Sequence, residues 1–212
     1  MMTIKEYSYS ELTQWRTECF KRFHGVFNLP IVSPGDKLRE YLGPDSVLLD
    51  VGAGHQKVLK TSLGLTNHQY FSMDDDPVGE FNFDNFSDIP ETLFFDIIVA
   101  NQLLEHLTIS EAIPMMQAVY KKLKIGGHFI GTVPNAQHPV RQWGDATHVT
   151  AWPLGDLYGL LSMVGFSKPQ PYRYTKRHLT RNPIERFIVK IVSKNYRIDW
   201  CDSLMIVGRK ND

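Results

Sequence analysis

Asp50-Val51-Gly52-Ala53-Gly54 sets a carboxylate two residues ahead of a pair of spaced glycines. Glycines at that spacing let a backbone turn sharply and approach a ligand closely. An acid beside such a turn favours a ligand carrying positive charge. Further polar positions follow: Asp74 at the head of Asp74-Asp75-Asp76, then Asp84, the pair Asn101-Gln102, and Asn135. A second set suits proton transfer or hydrogen bonding to a substrate. His106 follows Glu105, and the segment 134–153 concentrates His138, Arg141, Trp143, Asp145, His148 and Trp152. Asp145 stands three residues before His148 and can orient its imidazole, which makes His148 the first candidate for a general base or substrate hydrogen-bonder. A structural His-Asp contact is the other reading of that spacing. His106 is the second candidate. Arg141 reads either as an anchor for an anionic substrate group or as a solvated surface arginine.

These residues need elements to hold them. The apolar run Val47-Leu48-Leu49, bounded by Pro44 and Gly52, suits a strand buried on both faces. Strands are also expected over 69–73, 81–83, 93–100, 128–133 and 203–208. Helices are expected over 57–63, 108–123, where Pro114 kinks or resets the start, and 153–165. Gly126-Gly127 reads as the stop of the second of these. Upstream, Leu12, Trp15, Cys19, Phe20 and Phe23 recur at helical spacing over 9–24, and Ser33-Pro34 reads as N-cap and first position of a short helix. Downstream, Asn182-Pro183-Ile184-Glu185 opens a helix with Ile184, Phe187, Ile188, Ile191 and Val192 on one face and Arg186, Lys190 and Lys194 on another. Strand and helix alternate, so a parallel sheet covered on both faces is expected, with ligands beyond the carboxyl ends of its strands. Asp50 to Gly54, Asp74, Asp84, Asn101 and Asn135 all fall at such ends.

The length of 212 residues fits one domain, with N-terminal helices over 1–45, a ligand-binding core over 46–135, and a loop, late helix and closing strand over 136–212. Cys19 and Cys201 imply no disulfide framework, residues 1–10 do not look like a secretory signal, and no apolar run reaches the roughly 20 residues a membrane span needs. A cytoplasmic protein is expected. Zero net charge conceals an asymmetry: residues 1–167 hold 12 basic and 19 acidic side chains, residues 168–212 hold 11 and 4. A basic tail of net +7 meets a polyanion, a membrane surface or the acidic part of its own chain.

Two cofactor classes use a glycine turn after the first strand of such a sheet, dinucleotides and S-adenosylmethionine. The dinucleotide fingerprint is Gly-x-Gly-x-x-Gly, and here the third glycine position is Lys57. Asp50 would also set a negative charge near a pyrophosphate, whereas it suits a ligand with an ammonium group and a positive sulfur. With Phe95-Asp96-Ile97-Ile98-Val99-Ala100-Asn101 ahead of Leu104-Glu105-His106, and Leu123-Lys124-Ile125-Gly126-Gly127-His128-Phe129 behind, the chain from about 46 to 135 resembles the class I S-adenosylmethionine-dependent methyltransferases.

That resemblance implies an α/β fold with a doubly wound, mostly parallel seven-stranded sheet, the last strand antiparallel, and an N-terminal helical extension. It implies Asp50, Gly52 and Gly54 around the methionine part of the cofactor, Asp74 or a neighbouring aspartate on the ribose, Asp84 near the adenine, and Asn101 and Gln102 beside the sulfonium. One subgroup, the ubiquinone-pathway O-methyltransferases, is similar around Glu105-His106 and adds an earlier glutamate to hold a metal. Gln102 stands there in this chain, and a neutral amide is a poorer ligand for a hard cation, so no metal is expected. The implied activity is methyl transfer to an oxygen or nitrogen of a small-molecule acceptor. The alternative is an RNA-modifying or RNA-binding protein using the basic tail. A homodimer through the apolar face of the late helix is a further expectation.

Overall fold

The computed structural model describes residues 9–176 and 182–211. Residues 1–8, 177–181 and 212, with the side chains of Tyr9 and Lys194, lie outside the described residues; the reading of the polar N-terminus and part of the basic tail falls there. The described helices are α1 Tyr9–Phe23, α2 Pro34–Tyr41, α3 Val58–Leu63, α4 Ile109–Lys122, α5 Leu154–Val164 and α6 Pro183–Tyr196. The strands are β1 Leu48–Val51, β2 Tyr70–Met73, β3 Phe95–Asn101, β4 Leu123–Pro134, β5 Ser167–Tyr174 and β6 Ser203–Arg209. They form one sheet in the order β2-β1-β3-β4-β6-β5. β1 to β4 pair in parallel, and β6 runs antiparallel between β4 and β5.

Alternation along the strands sorts side chains into two layers. Leu49, Ile98, Ala100, Phe129 and Leu204 meet Cys19 of α1, Met116 of α4 and Leu157 of α5. Leu48, Ile97, Val99, Ile130 and Met205 meet Leu38 of α2 and Leu59 and Leu63 of α3. Full burial of each such leucine or isoleucine contributes about 1.5–3 kcal/mol. Asp50, two residues after Leu48, points into the second layer. No described helix is long and apolar enough to cross a membrane.

Among the described residues the sheet has six strands rather than seven. The third strand expected over 81–83 is reduced to a single parallel bridge between Met73 and Phe83. Asp76 to Phe83 is too short for a crossover helix, and the Asn82 carboxamide oxygen accepts from the Ser72 amide and hydroxyl, occupying the ladder position a longer strand would use. β5 has no counterpart among the strands expected from sequence. Pro169 and Pro171 each remove a donor, which a sheet tolerates because β5 is its edge. α4 ends at Lys122, and Gly126-Gly127 lies inside β4 instead of stopping the helix. The β3–β4 register jumps there, from Phe95 opposite Leu123 to Ile97 opposite His128, and Gly126 with φ 80° supplies the bulge. α4 passes through Pro114 without a break.

Candidate functional site

The glycine turn is fixed by the neighbouring strand. The amides of Gly52 and Ala53 donate to the Met73 carbonyl (2.9 and 3.2 Å), and the Gly54 amide donates to Asp74 Oδ2 (2.8 Å). Asp74 Oδ1 accepts from the Asp76 amide (3.1 Å). Gly52 and Gly54 both have left-handed backbones (φ 70° and 59°). A Cβ at Gly52 would sit 3.0 Å from Leu103 Cδ1, whereas one at Gly54 would meet nothing within 4 Å. Open space with an anchored carboxylate beside it is what a ligand needs to lie against this backbone.

Asp50 is placed differently from a direct ligand contact. It is 3% exposed, beneath the turn, and accepts a hydrogen bond from Tyr70 Oη (2.7 Å). Burial raises its pKa to about 6, against the Tyr70 hydrogen bond, with the Asp74 charge adding to the rise. What reaches the site from Asp50 is its charge. Asp84 is exposed, and the chain beside it is tied to the end of β2 through the Asp74 amide, which donates to the Phe83 carbonyl (3.3 Å). His55 pairs with Asp76 (2.5 Å), and Lys57 Nζ donates to the Glu80 carbonyl and lies over the Phe81 ring, so 76–83 folds against the turn.

Asn101 and Gln102 meet at the end of β3 around Thr132. The Thr132 hydroxyl donates to Asn101 Oδ1 (2.7 Å), and the Gln102 amide donates to the Thr132 carbonyl (3.0 Å). Gln102 is held with a left-handed backbone (φ 54°). Such a conformation costs a non-glycine residue about 1–2 kcal/mol and persists where surroundings over-determine it. Asn135 turns inward instead: it is 1% exposed and its amide donates to Asp199 and the Cys201 carbonyl.

The second centre lies just past β3, in the 3₁₀ turn Leu104–His106. Residues 147–152 are zipped to it. The Val149 and Thr150 amides donate to the Glu105 carbonyl (2.9 and 3.0 Å), Thr150 Oγ1 to the Leu107 carbonyl (2.6 Å), and buried Trp152 Nε1 to the Leu104 carbonyl (2.9 Å). This brings His106 and His148 together, ring centroids 4.9 Å apart. The Asp145 carboxylate does not hydrogen-bond the His148 ring: it stands 3.9 Å from Nε2 and instead accepts from the Thr147 amide and hydroxyl, while the two residues are joined through the His148 amide, which donates to the Asp145 carbonyl (3.4 Å). His148 Nδ1 is 2.9 Å from the Gln142 carbonyl, and His106 Nδ1 is 3.2 Å from the Thr147 carbonyl. A carbonyl only accepts, so each Nδ1 carries a proton, and in the neutral ring the lone pair is left on Nε2. Glu105 lies beside them, one donor atom of each of the three residues within 4.8 Å of the others, and is fully buried with neither carboxylate oxygen hydrogen-bonded. Burial raises its pKa to about 7.

Arg141 is neither free nor pointed at a ligand: its guanidinium pairs with Asp202 (2.5 and 2.7 Å). His138 is buried and its Nδ1 accepts from the Val140 and Arg141 amides. A cleft of about 490 Å³ opens on the same edge of the sheet, between α1 and the start of α5, with Arg16, Cys19, Phe20, Gln137, Asp156 and Arg197 in its wall.

A family model described as a methyltransferase domain matches residues 27–168. The chain belongs to the methyltransferase-domain family. The fold is shared with solved methyltransferases. A SAM-dependent methyltransferase from Archaeoglobus fulgidus superposes with a TM-score of 0.63 at 18% identity, over 96% of this chain and 100% of that one. A protein from Thermotoga maritima described as a possible histamine N-methyltransferase gives 0.58 at 12% identity, over 96% and 100%. Phosphoethanolamine N-methyltransferase 2 from Haemonchus contortus, solved with S-adenosyl-L-methionine, gives 0.55 at 13%, over 98% of this chain and 58% of that one. No curated protein matches the chain in sequence.

Within this methyltransferase fold, three residues matter that sequence reasoning did not single out. Thr132 organises Asn101 and Gln102, Tyr70 holds Asp50, and Leu103 packs under Gly52. Their partners are 30, 20 and 51 positions away, as read from the numbering, and no local pattern reports such contacts. Glu105 did carry a signal, a carboxylate inside the apolar run Leu103 to Leu107.

Proposed function

We propose that this methyltransferase transfers a methyl group from S-adenosylmethionine to an oxygen or nitrogen of a small-molecule acceptor. The observation that carries the reading is the open backbone at Gly54 with the Asp74 carboxylate anchored to its amide, on the same sheet edge as the acceptor-sized cleft. The residues fit the cofactor. Asp74 keeps carboxylate lone pairs for ribose hydroxyls, Asp84 stands beside it toward the adenine, and the buried Asp50 charge lies beneath Gly52 where an ammonium group would rest. Asn101 and Gln102, locked by Thr132, border the sulfonium. When bound, the cofactor supplies the electrophilic methyl carbon. The protein's own contribution is to position an acceptor in line and exclude alternatives, which supplies much of the rate in a displacement.

Where the acceptor must lose a proton, the neutral imidazole of His148 or His106, with Nδ1 turned to a backbone carbonyl, is the base at hand, and the Asp145 carboxylate stands 3.9 Å from His148. The polyanion reading is less well supported. Arg173 spends its guanidinium on the Leu29 and Phe27 carbonyls and Asp199, and Lys210 on the Leu123 carbonyl. On α6 Arg186 and Lys190 are exposed, but they share the helix surface with the exposed apolar side chains of Ile184, Phe187, Ile188 and Ile191.

The test is calorimetry of the full chain with S-adenosylmethionine and S-adenosylhomocysteine, joined to a filter assay for tRNA retention across salt. Binding of both nucleosides is expected, without the steep salt-dependent retention that phosphate contacts produce. Absence of nucleoside binding would overturn the assignment, and tRNA retention falling steeply with salt would move the acceptor to RNA.

A further inference from the structure

We propose that Glu105, His106 and His148 form a binding site for a divalent first-row transition-metal ion. One ligand atom from each residue lies within 4.8 Å of the others. Donors about 2.0–2.2 Å from a shared ion stand up to about 4 Å apart, so a small closure of side chains brings all three into coordination range. The residues come from two separate segments, and the two amides donating to the Glu105 carbonyl fix the segments against each other before any ion arrives.

Each imidazole is prepared as a ligand. Donation from Nδ1 to a backbone carbonyl sets the tautomer and leaves Nε2 as the donor atom, the outer-shell arrangement that metal-bound histidines use. Glu105 supplies the independent observation. A carboxylate that is fully buried with neither oxygen in a hydrogen bond forfeits its hydration against only its own backbone amide and the nearby His148 ring. A cation between it and the two Nε2 atoms would satisfy it. Position 102 is not needed, because the third donor comes from the loop at residue 148.

The donor chemistry narrows the ion. Two imidazole nitrogens and one carboxylate, with no thiolate, suit zinc, manganese, iron, cobalt or nickel, and are poor for calcium and magnesium, which want oxygen shells. Cys19 and Cys201 are buried elsewhere. Three protein ligands leave coordination positions open, as in reactive rather than structural sites. His106 is exposed, so those positions face solvent. Asp145 Oδ2, 3.9 Å from His148 Nε2, is placed to draw in as a further oxygen donor. None of this depends on the cofactor assignment, and the test below does not use activity.

The experiment is to strip the tag-free full chain with a chelator and titrate it with Zn²⁺, Mn²⁺ and Mg²⁺ by calorimetry, and with Co²⁺ by visible absorption. The expected result is one equivalent of Zn²⁺ or Co²⁺ bound, with cobalt d–d bands, and no comparable Mg²⁺ binding. Glu105→Gln and His148→Ala should each weaken Zn²⁺ binding at least tenfold. Because either variant can fail to fold, the stoichiometry and cobalt spectrum of the unaltered chain stand as a separate readout. No stoichiometric binding in the unaltered chain would overturn the proposal. So would Zn²⁺ affinity left unchanged in folded Glu105→Gln and His148→Ala, which would put the ion elsewhere.

Discussion

The two glycines of the turn separate stability from ligand binding, because their surroundings differ. Both adopt left-handed backbones, so alanine at either costs about 1–2 kcal/mol in conformational energy. At Gly54 the added methyl meets no protein atom within 4 Å, and that is the whole cost to the free protein. At Gly52 it sits 3.0 Å from Leu103 Cδ1, and crowding a packed side chain adds about 1 kcal/mol or more. Gly52→Ala should therefore destabilise the chain by about 2–3 kcal/mol and Gly54→Ala by about 1–2 kcal/mol. At about 2–4 °C per kcal/mol for a chain of this size, the two melting temperatures should differ by several degrees. Binding should run the other way. The methyl of Gly54→Ala occupies the space where a ligand lies against the backbone, so affinity for S-adenosylhomocysteine should fall at least tenfold, about 1.4 kcal/mol. Thermal melts of the free variants and calorimetry with S-adenosylhomocysteine measure both quantities. Undiminished binding in Gly54→Ala would refute the placement of the cofactor over Gly54, and a Gly54→Ala chain as unstable as Gly52→Ala would refute the packing contrast between the two positions.

Asp74→Ala removes the acceptor for the Gly54 and Asp76 amides together with the proposed ribose contact, so it should weaken cofactor binding more than His148→Ala does; equal effects in calorimetry would contradict the separation of the two centres. Asp50 makes stability pH-dependent with a definite sign. Its folded pKa, raised from 3.8 to about 6, means that its contribution to stability is fully present below 3.8 and is lost as pH rises through 6, about 1.4 kcal/mol of it between pH 5 and 7.5. The stability difference between the unaltered chain and Asp50→Asn, measured by denaturant melts at those two pH values, should shift by about that amount in favour of the variant at the higher pH. A difference independent of pH would show that Asp50 does not titrate in that window.

The parallel core was legible in the chain because its signals are local. Leu48 and Leu49 are fully buried, Gly52 and Gly54 take backbones other residues resist, and polar residues at Asp74 and Asn101 end their strands. The strands at the far edges were not legible in the same way. β5 contains two prolines and forms only because β6 offers it an edge, while 81–83, apolar enough to be a strand, is held to one bridge by the Asn82 side chain. The two centres divide similarly. Residue types and spacing around the glycine turn determined a positively charged nucleoside ligand, since every group involved lies within a few residues of a strand end. The partner of His148 was decided only in three dimensions. Spacing along the chain pointed to Asp145, three residues away, but the Trp152 and Thr150 bonds to Leu104 and Leu107 draw the loop down and set His148 against Glu105 and His106 instead. Residue order determines which groups are available and what backbone they tolerate; which lone pairs face one another depends on loop closure over long separations, and only the packed chain supplies that.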